Sequence, residues 1–324
     1  LLGLAYAPND TGLFRSELFD RCCRIGFEHD EAKKEQGDAA LFDRLAAIRK
    51  KNRLDVVIPN LDFEIGRYQR IAPELDRIGI RTLLPGVAAR RKLGKQGLAE
   101  LIGRHQWSGF EYPETMLVKS RSDLVRAWER FGNPLILKGL VAGAVRLFSL
   151  KQALMAWMRF KAEGEAQVLA QPSVFGEEFG VGVVCDRNGR LIDAMTLKKL
   201  VMCERGKTWG ATPVPLLQAV TDLAEMLGKV GWVGPADVEF IRDSVTEKLE
   251  LIEINPRFPG WIGFSGLTGA NLPRQLVLAA MDRQPVPVGG DKALTEGAIF
   301  MRTVEEIPAA ASTMAAFVNR GEIA

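Results

Sequence analysis

Two apolar stretches carry acidic side chains inside sequence that otherwise predicts buried strands: Gly234-Pro-Ala-Asp-Val-Glu-Phe-Ile241 and Leu249-Glu-Leu-Ile-Glu-Ile-Asn-Pro-Arg-Phe258. Glu239 and Glu253 are 14 residues apart (253 − 239), and the turn-like stretch 242–248 separates the two predicted strands. Strict alternation along the second strand places four side chains on one face: Leu249, Leu251, Glu253 and Asn255. A charge in such surroundings is unfavourable unless a partner offsets it. A Mg²⁺ ion that also binds nucleotide phosphates would be such a partner, because it prefers oxygen ligands.

The length and composition are those of an ordinary multidomain globular protein. The chain has 324 residues, which predicts two or three domains, and 47% of them are hydrophobic and 26% charged. The net charge of +3 is too small and too dispersed to indicate nucleic-acid binding. No stretch reaches the ~18 apolar residues of a membrane span, and residues 1–7 lack the basic region and cleavage site of a signal peptide. We therefore predict a protein that binds neither nucleic acid nor membranes.

The cysteines and histidines do not predict a zinc site or His-based catalysis. No Cys-x-x-Cys or Cys/His zinc pattern is formed by the four cysteines, Cys22, Cys23, Cys185 and Cys203. Only two histidines are present, His29 and His105, too few to favour a His-based metal site or a Ser-His-Asp triad. Reduced thiols in a cytoplasmic protein are the simplest interpretation.

The alternation of predicted elements divides the chain into four segments. Residues 1–87 alternate strands with helices, which predicts an α/β unit with a parallel sheet, and no Gly-rich dinucleotide fingerprint follows its strands. Residues 88–132 predict mostly helices. Residues 133–200 predict an antiparallel sheet with one helix, including a hairpin at Asp186-Arg-Asn-Gly189. Residues 201–324 return to α/β and contain the two acidic strands.

The stretch Ile252-Glu-Ile-Asn-Pro-Arg257 combines a carboxylate, an amide and a guanidinium within five residues. The side-chain carbonyl of Asn255 can coordinate a metal ion. Arg257 offers a two-pronged donor for a phosphoryl or acyl-phosphate oxygen. The alternative is a purely structural buried salt bridge between Glu253 and Arg257. Glu239 on the neighbouring predicted strand favours the metal interpretation.

Two further motifs suit a nucleotide, although each has an ordinary alternative. Lys138 ends an apolar strand before Gly139, where it can contact phosphate oxygens; the alternative is a surface lysine at a strand end. In the stretch 168–178, an apolar strand is followed by a hinge that can offer backbone groups to an adenine edge, and Glu178 can accept hydrogen bonds from ribose hydroxyls. The alternative here is a plain strand–turn–strand.

With these motifs in this order, the chain resembles the ATP-grasp superfamily from about residue 55 to residue 285. It looks closest to the branch with the ATP-binding halves of carbamoyl phosphate synthase, biotin carboxylase and the carboxylate–amine ligase of the pyrrolysine pathway. The resemblance implies an α/β and α+β architecture: an ATP-grasp fold preceded by a Rossmann-like, pre-ATP-grasp domain. The implied segments are the pre-ATP-grasp domain 1–87, linker helices 88–132, a small lid subdomain 133–200 and a large C-terminal subdomain 201–324.

The resemblance also implies a role for each matching residue. Lys95 and Lys138 match the two phosphate-contacting lysines, although Gly94 and Gly139 replace the family's usual Asp and Pro beside them. Gln171 stands where a Glu commonly begins the adenine hinge, Val174 matches the lining of the adenine slot, and Glu178 matches the ribose-binding Glu. The implied metal ligands are Glu239, Glu253 and Asn255. Arg257 matches the Arg that stabilises the transferring phosphoryl group, and either Lys198 or Lys199 adds a phosphate contact.

The activity implied is that of a ligase that uses ATP and Mg²⁺, with Mn²⁺ as a substitute, to join a carboxylate to an amine through an acyl phosphate. Small-molecule substrates are expected, a peptide acceptor stays open, and a homodimer fits the superfamily. The alternatives are a phosphotransferase or carbamoyl-phosphate-synthase-like enzyme, and a non-catalytic ATP-binding regulator. Asp62, Glu64 and Arg67 are expected to face the substrate cleft, and the loop Arg205–Pro213 suits a mobile lid over anions.

Overall fold

The computed structural model describes residues 1–10, 12, 15, 17–26, 33–102, 107–140, 143–203, 206–284 and 297–323. His29, His105 and Arg205, which begins the predicted lid loop, lie outside these residues. Contacts divide the chain into an N-terminal unit (Leu1–Leu83, Ala280–Arg283 and Arg302–Ala324) and a central unit (Leu84–Ala279 and Gln284–Met301). In the described part of the chain, no helix is both long and apolar enough to cross a membrane.

In chain order, the first half contains β1 (Leu2–Ala5), β2 (Arg21–Arg24), α1 (Lys34–Asn52), α2 (Asp62–Arg77), α3 (Val87–Leu93), α4 (Lys95–Ile102), β3 (Met116–Val118), α5 (Arg121–Phe131), β4 (Leu135–Gly139), β5 (Ala144–Leu147) and α6 (Leu150–Ala162). The second half contains β6 (Val168–Pro172), β7 (Gly176–Cys185), β8 (Leu191–Met202), β9 (Thr208–Pro213), α7 (Leu217–Val230), β10 (Gly234–Asp243), β11 (Leu249–Asn255), α8 (Phe264–Leu267), α9 (Leu272–Ala280), β12 (Phe300–Met301), α10 (Ala311–Arg320) and β13 (Glu322–Ile323).

The N-terminal unit is built on a small sheet with the strand order β1-β2-β13. β1 and β2 are parallel, whereas β13 pairs antiparallel with β2. β2 is not predicted from the sequence, and no described helix lies between β1 and β2. The strands predicted around residues 54–59 and 80–84 meet only through one parallel bridge, between Val56 and Arg81. Residues 302–324, which the sequence grouped with the C-terminal subdomain, belong to this unit, because Phe317 is fully buried against Ala5 and Cys22.

The central unit contains two sheets, whereas the sequence predicted a single antiparallel sheet for residues 133–200. One sheet has four strands in the order β3-β6-β4-β5, and helices α5 and α6 pack on it around a core that includes Leu124, Leu135 and Phe160. The other has six strands in the order β11-β10-β7-β8-β9-β12. β7 and β8 pair with each other as predicted, but they join β10 and β11 in this second sheet.

The core of the central unit lies on one face of the six-stranded sheet. Apolar side chains at alternate positions of β7 and β10, such as Val181, Val183, Val238 and Phe240, pack against helix α7 through Leu223, Met226 and Leu227. Because one face of the sheet is committed to this core, side chains at the intervening positions point to the opposite face. Those intervening positions carry the polar residues of the candidate site.

Candidate functional site

A bulge in β11 decides which of its side chains face the site. Glu253 pairs with Glu239, whereas Leu251 pairs with Phe240, so Ile252 is an extra residue between the two pairs. Directly opposed residues share a face and consecutive residues alternate. Leu249 and Leu251 therefore lie on the core face, and the prediction that they share a face with Glu253 and Asn255 is wrong. The acidic side chains point away from the core, because the bulge resets the alternation.

The register of the β10–β11 hairpin brings the three candidate metal ligands together. Glu239 lies directly opposite Glu253, and Asp237 lies directly opposite Asn255. The side-chain amide of Asn255 donates to Glu253 Oε1 at 3.1 Å, an orientation that leaves its carbonyl oxygen for another partner. Two carboxylates and one amide oxygen are the donor types that Mg²⁺ prefers. In the described residues, no group of three or more His, Cys, Asp or Glu side chains is arranged to hold a metal ion, so the fit depends on Asn255.

The pKa of Glu239 is raised to about 7, chiefly by burial and also by the neighbouring carboxylates of Asp237 and Glu253, although Lys199 opposes the shift. A carboxylate crowded by other carboxylates in a partly desolvated site is the setting in which a divalent cation stabilises the charged form. The electrostatics of Glu239 therefore fit a metal ligand.

Arg257 is held by Asp237, a residue that the sequence-based prediction did not include. Arg257 Nη1 donates to Asp237 Oδ2 at 2.6 Å and to the carbonyl oxygen of Phe258 at 3.1 Å. Asp237 is 5% exposed, and burial raises the pKa of its carboxyl group although Arg257 opposes this shift. The salt bridge considered for Arg257 thus has Asp237 as its acidic partner. Period-two alternation back from Glu239 along β10 is the signal that identifies Asp237.

Lys199 and Lys198 lie on opposite sides of β8. Lys199 Nζ donates to Glu178 Oε2 and to Glu239 Oε2, both at 3.1 Å, and its side chain is 3% exposed. Lys198 forms an ion pair with Glu177, and a third of its side chain is exposed. The structure therefore brings Lys199, and not Lys198, to the candidate nucleotide and metal residues.

Lys138 and Lys95 reach the site from outside the six-stranded sheet. Lys138 projects from β4, is 7% exposed, and donates from Nζ to the carbonyl oxygen of Ile252 at 3.3 Å. Its burial, and after it the nearby charge of Lys95, lower its pKa to about 8, although Glu253 and Glu239 oppose the shift. Lys95 begins α4, and its Nζ donates to the carbonyl oxygen of Gly139 at 2.9 Å. The alternative of Lys138 as a surface lysine is wrong.

The predicted adenine hinge joins the two sheets within the central unit. Gln171 lies in β6, is 1% exposed, and donates from Nε2 to Thr115 Oγ1 at 2.8 Å. Burial raises the pKa of the nearby Tyr112, and its hydrogen bonds with Gln171 and Thr115 oppose this shift. Val174 is half-buried in the connection between β6 and β7. The hinge position is thus the connection between the four-stranded sheet and the six-stranded sheet.

Two glycines of β7 allow an aromatic ring to cover the strand beside the carboxylates. Gly180 and Gly182 lie opposite Glu239 and Asp237. A Cβ atom at these glycines would lie 3.3 Å and 3.1 Å from the indole ring of Trp261. Trp261 is 6% exposed and, because opposed residues share a face, it covers the same face that carries the candidate site. Sequence reasoning missed this wall of the site.

The three residues expected to face a substrate cleft lie on α2 in the N-terminal unit. The carboxylate of Glu64 accepts from the backbone N–H groups of Asn60 and Leu61, at 2.7 Å and 2.9 Å, and from the hydroxyl of Tyr6. Arg67 is 6% exposed and donates to the carbonyl oxygen of Gly37 at 2.7 Å. Asp62 is exposed in the first turn of α2. Glu64 and Arg67 therefore stabilise the start of α2 and its contact with the preceding chain.

Comparisons with known proteins agree with this architecture. Residues 164–298 match the family described as ATP-grasp in the biosynthetic pathway with Ter operon. The biotin carboxylase domain of 2-oxoglutarate carboxylase from Hydrogenobacter thermophilus, in complex with MgADP, ADP and bicarbonate, gives a TM-score of 0.67 at 14% identity over 90% of this chain. Biotin carboxylase from Campylobacter jejuni, in complex with β-γ-ATP, gives 0.65 at 16% identity over 88%. No curated protein sequence matches the chain.

The present chain spans 66% of the length of each of these two carboxylase chains. It spans 29% of pyruvate carboxylase from Rhizobium etli, which gives a TM-score of 0.61 at 16% identity over 90% of this chain. Identities this low establish likeness of fold, and the family match concerns the part of the chain that carries both acidic strands. The family match over residues 164–298 and the likeness of fold over most of the chain both agree with the resemblance to the ATP-grasp superfamily.

Proposed function

We propose that the protein is a ligase that uses ATP and Mg²⁺ to activate a carboxylate as an acyl phosphate and then transfers the acyl group to an amine, releasing ADP and phosphate. The observation that carries this proposal is the register that sets Glu239 opposite Glu253 and beside Asn255. Buried Lys138 and the Arg257–Asp237 pair border this set, in contact with β11 and β10 respectively. The site thus combines oxygen ligands for a cation with cations for phosphate.

In this proposal Glu239, Glu253 and the amide oxygen of Asn255 hold Mg²⁺, which Mn²⁺ can replace. The metal ion, when bound, offsets the charge of the β- and γ-phosphates. Lys138 and Lys95 donate to phosphate oxygens. A polyanion favours the charged form of Lys138 and opposes the desolvation that lowers its pKa. The MgADP in the Hydrogenobacter carboxylase complex supports this assignment of ligand class.

The remaining residues position the nucleotide and the reacting group. Gln171 and Val174 contact the adenine at the hinge, and Glu178 accepts from ribose hydroxyls while Lys199 contacts the phosphates. Arg257, kept in place by Asp237, donates to the transferring phosphoryl group and to the acyl phosphate. The amine then attacks the acyl carbon and phosphate leaves, so little proton transfer by protein side chains is required.

The proposed substrates are a small carboxylate and an amine, with a peptide acceptor as a further option, and the proposed assembly is a homodimer. Bicarbonate, bound in the Hydrogenobacter complex, is a carboxylate-like group that an ATP-grasp enzyme activates in the carbamoyl-phosphate-synthase-like alternative. The ligase is our first candidate and the carbamoyl-phosphate-synthase-like enzyme the second, and both are compatible with the ATP-grasp family that matches residues 164–298. A cytoplasmic location with reduced thiols remains our expectation from the sequence.

The test is ATP consumption in the presence of pooled amino acids and small carboxylates, with and without bicarbonate. Phosphate and pyrophosphate are assayed separately, and the pools are analysed by mass spectrometry. Phosphate release that requires two pool components, with a new mass equal to their condensation product, is expected. Release with bicarbonate alone would instead indicate the carbamoyl-phosphate-synthase-like reaction, and tight nucleotide binding without turnover in any pool would indicate a regulator.

A further inference from the structure

Two carboxylates share the buried ammonium group of Lys199. Its Nζ lies 3.1 Å from Glu178 Oε2 and 3.1 Å from Glu239 Oε2. The proposed function assigns Glu178 to the ribose and Glu239 to the metal ion. One lysine therefore links the residues that would hold two different parts of the ligand.

The burial of this contact distinguishes it from an ordinary surface ion pair. The Lys199 side chain is 3% exposed, whereas those of Glu178 and Glu239 are 28% and 32% exposed. An exposed pair such as Lys198–Glu177 contributes little, because water screens it. A buried ammonium that lost its carboxylates would be costly unless another anion replaced them.

We propose that Lys199 is a built-in counter-cation: it is ion-paired with Glu239 in the nucleotide-free protein, and this pairing makes metal binding at Glu239 conditional on nucleotide. This inference rests on the proposed function, since it takes Glu239 as a metal ligand. A divalent cation that approaches Glu239 alone meets the positive charge of Lys199 about 3 Å from the carboxylate oxygen, and the two cations repel. Lys199 cannot leave Glu239 unless another anion pairs with its ammonium group.

Nucleotide binding solves this problem by an exchange of partners. Phosphate oxygens receive the ammonium group of Lys199, and Glu239 is released to coordinate a cation that arrives with the nucleotide. No buried charge is left unpaired at any stage, because each lost contact is replaced. The device prevents the carboxylates from collecting free divalent cations, and it couples metal affinity to nucleotide affinity in both directions.

The test is the affinity of the protein for Mn²⁺ alone, measured by electron paramagnetic resonance at about pH 8.5, above the usual pKa range of carboxyl groups. The variants are Lys199→Met and, as a matched control on the adjacent residue, Lys198→Met. We expect Lys199→Met to bind Mn²⁺ about tenfold more tightly than wild type, because cation–cation repulsion is removed. Lys198→Met should match wild type, because its partner Glu177 lies outside the metal set.

Two more variants keep the result interpretable. Lys199→Gln replaces the charge with a neutral donor and should bind Mn²⁺ like Lys199→Met. It takes the place of Lys199→Met if that variant does not fold. Thermal unfolding establishes which variants are folded. Lys199→Arg keeps the charge and should behave like wild type. Equal Mn²⁺ affinity in wild type and Lys199→Gln, or tighter binding in Lys199→Arg, would overturn the inference.

Binding of a non-hydrolysable ATP analogue with Mg²⁺ to wild type is measured in parallel by calorimetry. Its absence would overturn the proposed function, independently of what the lysine variants do with Mn²⁺ alone. Analogue binding in wild type combined with unchanged Mn²⁺ affinity in the Lys199 variants would leave the proposed function standing and remove only the role of Lys199 as a counter-cation.

Discussion

The two sheets of the central unit differ in how the charges of their site residues are compensated. On the six-stranded sheet, carboxylates already have cationic partners: Lys199 donates to Glu178 and Glu239, and Arg257 donates to Asp237. On the four-stranded sheet, Lys138 is equally buried but donates to a backbone carbonyl oxygen. The first arrangement keeps its charges by mutual compensation. The second keeps a cation whose pKa has fallen to about 8.

This difference indicates which sheet gains more from an anionic ligand. A polyphosphate would supply Lys138 with the negative charge that its own sheet does not provide, whereas on the six-stranded sheet it must exchange partners with existing ion pairs. Buried cations without full compensation reduce stability, and sites for ligands are often built at this cost. We therefore expect the two sheets to respond differently when a site cation is removed.

The largest effect is expected at Arg257, which pairs with Asp237 of the six-stranded sheet and would contact the reacting group. Arg257→Ala should reduce kcat for ATP turnover by about 10²–10³, the range for loss of one electrostatic stabiliser. The dissociation constant of a non-hydrolysable ATP analogue should change little. The measurement is steady-state turnover with the productive pool components, and an unchanged kcat would remove Arg257 from the mechanism.

Lys138→Met should weaken binding of the ATP analogue about 10- to 100-fold, because a hydrogen bond to a charged group contributes about 1.5–3 kcal/mol. The free energy of unfolding should stay the same or rise, because a desolvated cation is replaced by an apolar side chain of similar length. Calorimetry and chemical denaturation are the measurements.

Lys199→Met is the matched variant on the other sheet, and it should lose about 1–3 kcal/mol of unfolding free energy near pH 8, because two carboxylates lose their cation. The contrast between Lys138 and Lys199 would disappear if both methionine variants were destabilised by the same amount.

Asp237→Asn should reduce kcat about tenfold, since a charge-assisted hydrogen bond to Arg257 becomes a weaker neutral one. Asn keeps the size and one acceptor oxygen, so the fold and the affinity for the ATP analogue should be retained. A fall in analogue affinity with kcat unchanged would show that Asp237 serves nucleotide binding instead of the position of Arg257. Turnover and calorimetry on the same preparation separate the two outcomes.

The smallest effect is a few-fold dependence of Mg-nucleotide affinity on pH. Glu239, with its pKa raised to about 7, is protonated in the folded protein below that pH, so affinity should rise as pH increases through 7. Lys138, with its pKa lowered to about 8, loses its charge above that pH, so affinity should fall again. Calorimetry across this range should give a maximum between the two values. Glu239→Gln should abolish the acid limb and Lys138→Met the alkaline limb.

The sequence predicts two strands that carry the candidate metal ligands Glu239, Glu253 and Asn255. The carboxylates stand out as site residues because a charge within an apolar strand is unfavourable unless a cation offsets it. Glu239 and Glu253 meet as predicted, because the turn between them is short enough to form a hairpin. The parallel bridge between Val56 and Arg81, on either side of α2, also follows from the alternation of strands and helices.

Three features could not be predicted from local sequence. The different contacts of Lys198 and Lys199 depend on the register of β8 against β7 and on irregularities in its pairing with β9, which involve distant residues. The division of residues 133–200 between two sheets depends on which strands lie beside β7. The return of residues 302–324 to the N-terminal unit depends on Phe317 and on a two-residue strand, which are too small to carry a sequence signal.

The extra residue in β11 means that residue number, as well as residue type, is under constraint in this hairpin. Deleting Ile252 would restore simple alternation and turn Glu253 either into the core or out of register with Glu239. The same deletion would remove the carbonyl group to which Lys138 donates. Related chains should therefore show many different residues at position 252 but no deletion. A deletion there would identify a chain that lacks this site.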